Sequence, residues 1–176
     1  MTQNPVRLFS WMIAIIAAVV SPLAATRASA ADPADANGIQ ITVPVVLKDA
    51  KVVFNLDHPA FEGDEPTGLD FMRIMLERFR ADHTNMRMVA IFHGDIGYMV
   101  LNDAAYDRVR NWTEGNPYKN QIAGLMKAGV QIEECAVTMS TNHWRNGDLL
   151  PGVKVDSGGI IRIVQLVQQG YVQIQP

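Results

Sequence analysis

The chain has 176 residues, 48% of them hydrophobic, and a formal net charge of −3 at pH 7. This acidic balance, with no basic patch interleaved with aromatic residues, argues against nucleic acid as a partner, because phosphate binding relies on clustered Lys and Arg. A single cysteine, Cys135, excludes a disulfide or a C-x-x-C redox pair within one chain.

The first thirty residues have the three parts of a secretory signal peptide. Arg7 supplies a positive start, residues 8–20 are apolar except for Ser10, and residues 28–30 read ASA, a cleavage signal of the A-x-A kind. The apolar run is well short of the roughly 20 residues that a membrane-spanning helix needs. We therefore expect cleavage after Ala30, a periplasmic or secreted mature chain, and no stable membrane insertion after cleavage.

Residues 31–50 are predicted to form an N-terminal arm or an edge strand. Apolar residues alternate with other residues from Ile39 to Val45, as in a strand. Pro44 interrupts the alternation and excludes a central strand, because proline has no N–H group for the ladder.

From residue 51 onward, strand patterns alternate with helix patterns. Strands are predicted at residues 51–56, 86–92, 130–132, 153–155 and 171–175, with a short extended piece at 98–101. Helices are predicted from Thr67, from Asn102 or Asp103 towards Trp112, around Ile122 up to Gly129, and from Ser157 to Gln169. This alternation predicts one α/β domain with a parallel sheet covered on both faces.

The predicted helix at residues 157–169 is apolar nearly all round. Such a helix is buried, either between layers of its own domain or at a subunit contact.

Cys135 stands at the end of the strand that begins at Val130. Glu133 and Glu134 end the apolar alternation, and a loop rich in Thr, Ser and Asn is predicted after the cysteine. Ligands of open α/β sheets bind at the carboxyl ends of the strands, so this position favours a functional thiol. The alternative is a packed thiol, since free cysteine is among the most buried residue types.

Six segments of the chain together resemble the DsrE/DsrF-like family, in particular its exported members. They are KVVFNL at 51–56, FHG at 92–94, NP at 116–117, AGVQIEEC at 128–135, DLLPGVKV at 148–155 and QQGYVQIQP at 168–176. The resemblance implies a DsrE-like domain over residues 51–176, a three-layer α/β/α sandwich with a mainly parallel five-stranded sheet, and a homo-oligomer such as a trimer or hexamer. It also implies that Cys135 carries sulfur as a persulfide, with a sulfur donor or acceptor protein or a small sulfur compound as its partner.

His93 and Gly94 follow the predicted strand at 86–92, so they should lie at the same sheet edge as Cys135. We predict a catalytic role for His93 as a base or orienting group for the thiol, and a binding role for Gly94, whose backbone can approach a ligand closely. A structural, hydrogen-bonded histidine is the alternative for His93.

Three further residues are predicted to bind a ligand at the same sheet edge. Asn55 and Asp57 follow the first strand, although turn formation explains such residues as well. His143 lies in the segment after the cysteine and could fold back over it, or remain a solvated loop residue.

Metal-ligating side chains occur at Asp57, His58, His93, Asp95 and Cys135, without the spacing of H-E-x-x-H or C-x-x-C. The G-x-G-x-x-G fingerprint of dinucleotide binding is also absent. We expect neither a metal site nor a cofactor.

Three functions stay open from the sequence. The first is an exported sulfur carrier or sulfurtransferase in which Cys135 holds a persulfide. The second is a non-catalytic oligomeric module that binds a small ligand or scaffolds partners, with Cys135 packed in the core. The third is a redox sensor with an exposed thiolate. A carrier and a sensor both need an accessible thiol, whereas packing does not.

Overall fold

The structure is a computed structural model, which describes residues 38–176. The predicted signal peptide and its cleavage site lie outside the described residues. The chain divides into two units, Met1–Pro44 and Val45–Pro176. The described part of the first unit, residues 38–44, has no helix or strand, and the second unit is the α/β domain.

The segment predicted as an arm or edge strand contains no strand between residues 39 and 47 of the described chain. The edge-strand alternative is therefore wrong over this stretch, and the first strand begins at Asp49, inside the segment assigned to the arm. Pro44 contributes no ladder donor, which accounts for the lack of pairing around it. The apolar side chains here are exposed; they are Ile39, Ile41, Val43, Val45, Val46 and Leu47.

Seven strands are present in the described residues. They are β1 (Asp49–Leu56), β2 (Phe61–Glu62), β3 (Glu65–Pro66), β4 (Asn85–Phe92), β5 (Val130–Cys135), β6 (Lys154–Asp156) and β7 (Val172–Ile174). Five of them form one sheet in the order β6-β5-β4-β1-β7, and every pairing in it is parallel. Strands β2 and β3 form a separate antiparallel pair.

Within residues 38–176, five α-helices connect and cover these strands. They are α1 (Thr67–Ala81), α2 (Asp103–Arg110), α3 (Lys119–Lys127), α4 (Ala136–Thr141) and α5 (Gly159–Gln168). At the start of α2, the Asn102 side chain accepts a hydrogen bond from the backbone N–H of Ala105 at 3.0 Å and caps the helix, whose start the sequence predicts at Asn102 or Asp103.

Two local predictions differ from the structure. The extended piece predicted at residues 98–101 belongs largely to a 3₁₀ helix, Gly94–Val100, because Tyr98, Met99 and Val100 are all buried rather than alternating between two faces. The loop predicted after Cys135 is α4, whose Ser and Thr content resembles that of a loop.

The sheet has a hydrophobic core on each face. Helices α1 and α3 pack on one face, where Val52, Phe54 and Leu56 of β1 contribute to the larger core. Helix α5 packs on the other, where Ile163 and Leu166 meet Val53, Val89 and Ile91. Because successive side chains of β1 point to opposite faces, this strand contributes residues to both cores. The predicted three-layer α/β/α fold is confirmed.

Only one side of α5 is buried. Ile163 and Leu166 face the sheet, whereas four apolar side chains on the outer side are 45% to 71% exposed: Ile160, Ile161, Val164 and Val167. We call these four the α5 patch. Across residues 38–176, none of the helices combines the length and the apolar character needed to cross a membrane.

Candidate functional site

The register of the sheet brings three predicted site residues to one edge. Leu56 pairs with Phe92, and Phe92 pairs with Glu134. The residues that follow these three are Asp57, His93 and Cys135. They therefore lie at the carboxyl end of neighbouring parallel strands, where open α/β sheets bind ligands.

The sulfur of Cys135 is held by the start of α5. The backbone N–H of Gly159, the first residue of α5, donates a hydrogen bond to Cys135 Sγ at 3.1 Å. The first N–H groups of a helix lack partners within it and carry partial positive charge, so they stabilise a nearby anion. A thiolate is the nucleophilic form of cysteine, and this N–H is a donor from which a thiolate could accept a hydrogen bond.

A cavity of about 450 Å³ opens onto the thiol. Its walls are mainly apolar and come from β4, β5, α4 and the start of α5. They are His93, Gly94, Cys135, Val137, Thr138, Gly158, Gly159, Ile160 and Ile161. Cys135 is only 5% exposed overall, so its accessible face is the one that borders this cavity.

His93 lines the same cavity, and its ring hydrogen-bonds to Asn55 rather than to the thiol. Its Nε2 lies 2.6 Å from Asn55 Oδ1, so Nε2 carries the proton and Nδ1 does not in the neutral ring. Burial lowers the pKa of His93, and the nearby charge of Asp57 offsets part of that shift. No hydrogen bond joins His93 to Cys135 within residues 38–176. A catalytic role for His93 stays a prediction.

Gly94 lies in the cavity wall, and the space around its backbone admits only glycine. Its φ is +60°, and a Cβ there would lie 2.8 Å from the carbonyl oxygen of Asp57, so glycine is required. That carbonyl accepts a hydrogen bond from the backbone N–H of Asp95 at 3.1 Å. Gly94 itself donates to Thr138 Oγ1 at 2.9 Å, which ties β4 to α4.

The other predicted binding residues are less central. Asn55 reaches the cavity only through His93, and the Asp57 carboxylate pairs with His58 and Gln175 instead. His143 is exposed, lies past the end of α4 with a φ of +58°, and is not part of the cavity wall. The segment after Cys135 forms α4, which carries His143 away from the thiol.

Glu133 and Glu134 point to opposite faces of the sheet. Glu133 shares the thiol's face and forms a two-bond ion pair with Arg162 of α5, each N···O distance being 2.9 Å. This pairing compensates the charge of Glu133 on the thiol's face, where Asp156 of β6 also lies opposite Cys135. Strand alternation accounts for the separation of the two carboxylates, whereas the arginine partner comes from a distant helix.

Glu134 is fully buried on the side of the larger core. Neither of its carboxylate oxygens has a hydrogen-bond partner within the described residues. Burial raises the pKa of Glu134 to about 9, with further contributions from Cys135 and Asp156. The side chain is therefore protonated and neutral at pH 7. A glutamate at an inward-facing strand position was the signal that could have revealed it.

Asp156 shapes the turn that leads into α5. Its Oδ1 accepts a hydrogen bond from the N–H of Gly158 at 2.7 Å, while burial raises the pKa of its carboxyl group. It pairs with Cys135 across strands β5 and β6, so this turn sets the position of Gly159 relative to the sulfur. No group of three His, Cys, Asp or Glu side chains in residues 38–176 is arranged to hold a metal ion.

Comparison with known proteins identifies the family of the domain and solved structures that are similar to it. The model of the DsrE/DsrF-like family matches residues 51–176. The solved structure of MTH1491 from Methanobacterium thermoautotrophicum, a protein of unknown function, is 24% identical with a TM-score of 0.53, covering 73% of this chain and 100% of its own. The ychN protein from E. coli is 13% identical with a TM-score of 0.49, covering 72% and 99%. No curated protein sequence matches.

Proposed function

The chain belongs to the DsrE/DsrF-like family, which is associated with sulfur relay, and we propose that it is an exported homo-oligomer that carries sulfane sulfur on Cys135 as a persulfide. The observation that supports this most directly is the hydrogen bond from the Gly159 N–H to Cys135 Sγ at the edge of a cavity. A sulfur carrier needs a thiolate that a hydrogen-bond donor stabilises and room beside it, and Cys135 Sγ has both an N–H donor and a bordering cavity.

The reaction is a transfer of one sulfur atom between thiols. The Cys135 thiolate attacks the outer sulfur of a donor R–S–SH, a new S–S bond forms, the donor's S–S bond breaks, and R–S⁻ leaves. The product is a persulfide on Cys135, and an acceptor thiolate removes the outer sulfur by the same step. The apolar walls of the cavity suit a polarisable sulfur atom and limit the access of water to it.

The test is sulfur uptake by the reduced protein. Incubation with inorganic polysulfide should raise the intact mass by one sulfur atom per chain, because the thiolate has an open cavity on one side. The matched control is the same protein alkylated beforehand at Cys135, which should gain nothing. A parallel sample treated with hydrogen peroxide separates a carrier from a redox sensor, since a sensor reacts better with the oxidant.

The second candidate is a non-catalytic ligand-binding or scaffolding module. The 5% exposure of Cys135 favours it, because a packed thiol is inert. In that case the native protein takes up no sulfur, and its thiol is alkylated only after denaturation. That pair of results would refute the carrier proposal.

Assembly is the second part of the proposal, and the α5 patch supports it. Four large apolar side chains on one helix face are exposed, and Ile160 and Ile161 also border the thiol cavity. Contiguous exposed apolar surface of this kind is typical of an interaction site. We infer that a second copy of the chain covers the α5 patch.

Val164→Asp combined with Val167→Asp should dissociate the oligomer, because burying each valine contributes about 1.5 kcal/mol or more. Neither residue lines the thiol cavity. Light scattering after size exclusion measures the mass. Ile74→Asp, on the exposed side of α1, is the control and should leave the oligomer intact. Equal masses for the double variant and the native protein would exclude this surface.

A further inference from the structure

A second cavity adjoins the thiol cavity. It has a volume of about 360 Å³, and Gly94, Val137 and Thr138 form part of the wall of both. The thiol cavity is mainly apolar, whereas the second cavity contains the cation Arg110 and polar groups of Thr141 and Asn142. The thiol cavity therefore suits an apolar group and the second cavity a polar or anionic group, and the two cavities share one wall.

Arg110 is held in place without a carboxylate partner. Its guanidinium carbon lies 4.2 Å from the centroid of the Tyr98 ring, and no carboxylate of residues 38–176 is within ion-pair distance of it. Four other arginines in this part of the chain do have such partners: Arg73, Arg78, Arg108 and Arg162. A guanidinium stacked by its face keeps the N–H groups of its edge available for a bidentate anion.

The surroundings of Arg110 agree with an anionic ligand. Tyr98 is neutral at pH 7, because burial raises the pKa of its hydroxyl group. Asn142 donates to the carbonyl of Thr138 at 2.9 Å, which leaves the second N–H of its amide for a ligand. Asp95 is the one carboxylate in the cavity wall, and it stands at the exposed rim, outside ion-pair distance of Arg110.

We propose that the Arg110 cavity binds the carboxylate end of a small organic persulfide while its sulfur end enters the thiol cavity. This inference rests on the proposed function and names the class of donor. The apolar cavity accepts the aliphatic thiol portion, and Arg110 and Asn142 bind the carboxylate across the shared wall. The Cys135 thiolate then takes the outer sulfur, the donor's S–S bond breaks, and the carboxylate-bearing thiolate R–S⁻ leaves.

The first test compares two donors that differ in charge: glutathione persulfide and the persulfide of glutathione diethyl ester. Arg110→Gln should slow sulfur uptake from the carboxylate donor about tenfold, because it removes a charge-assisted pair, and should leave the ester rate unchanged. Arg87→Gln is the control, since Arg87 is exposed near the amino end of β4 and loses the same charge. Equal slowing by both variants, or by neither, overturns the proposal.

The second test needs no sulfur transfer. S-methylglutathione, which has no transferable sulfur, is titrated into the isotope-labelled protein. The amides of Gly94 and Asn142 should shift saturably, with about tenfold weaker binding in Arg110→Gln. Lack of saturable binding, or equal binding by the variant, overturns the proposed subsite even where polysulfide loads Cys135. Binding without sulfur uptake from any donor instead overturns the carrier function and leaves the subsite standing.

Discussion

Glu134→Gln is expected to gain stability over the native protein as the pH rises, by about 3 kcal/mol between pH 5 and pH 7. Burial raises the pKa of Glu134 from its ordinary 4.5 to about 9. Between these two values the unfolded chain releases a proton that the folded chain retains. The native protein therefore loses stability from about pH 4.5 up to about pH 9, and the amide of glutamine removes this dependence.

Urea unfolding at pH 5, 7 and 9 measures the effect as the difference between variant and native protein. Taking the difference cancels the contributions of titrating groups that do not interact with Glu134, including the lowered pKa of His93. Glu62→Gln is the control, because Glu62 is exposed, and it should show a constant difference. A constant difference for Glu134→Gln as well would mean that the buried carboxyl is already ionised at low pH.

A neutral Glu134 also matters for the thiol. Two glutamates directly precede Cys135, and a carboxylate charge close to the sulfur would disfavour its thiolate. Glu134 is protonated at pH 7, and Glu133 is paired with Arg162. Neither residue therefore places an uncompensated negative charge beside the sulfur. Burying Glu134 costs stability but removes one negative charge beside Cys135, and the Asp156 carboxyl group opposite it on β6 remains as an acidic neighbour.

The site was predictable where it depends on strand ends. Asn55, His93 and Cys135 each stand at or near the end of an apolar run, and parallel strands bring such ends to one edge. The alternation along β5 likewise predicts that its two glutamates face different ways. These inferences need only the strand period and the handedness of the connections.

The parts that were missed depend on contacts between distant residues. The partner of Cys135 Sγ is a backbone N–H 24 positions later, and a backbone group has no sequence signature. Helix α4 reads as a loop because Thr and Ser compete for backbone hydrogen bonds, and its formation moved His143 away from the thiol. The sequence does not indicate a site at Arg110. Its guanidinium stacks on Tyr98, and Tyr98 lies in a 3₁₀ helix whose sequence pattern predicts an extended piece.

Gly159→Pro should slow the reaction of Cys135 with iodoacetamide and its uptake of sulfur roughly 10- to 100-fold at pH 7, because a hydrogen bond to a charged group is worth about 1.5–3 kcal/mol. Proline suits the first position of a helix, but it replaces the N–H that donates to the sulfur with a ring CH₂ group that also crowds the sulfur. Gly158, with φ 170° and ψ 107°, already has the extended backbone that a residue before proline adopts.

Gly159→Ala is the matched control for that substitution, because it adds the same Cβ and keeps the N–H. The Cβ lies 3.2 Å from His93 Cβ and from Ile91 Cγ2, so both variants compress these neighbours. The proline variant should lose more stability in urea unfolding, because its ring CH₂ group also crowds Cys135 Sγ. Only the proline variant should lose thiol reactivity, with Cys135→Ser defining zero sulfur uptake. Equal reactivity in the two Gly159 variants would show that the α5 N–H group does not activate the sulfur, and that any carrier activity depends on another donor at the cavity.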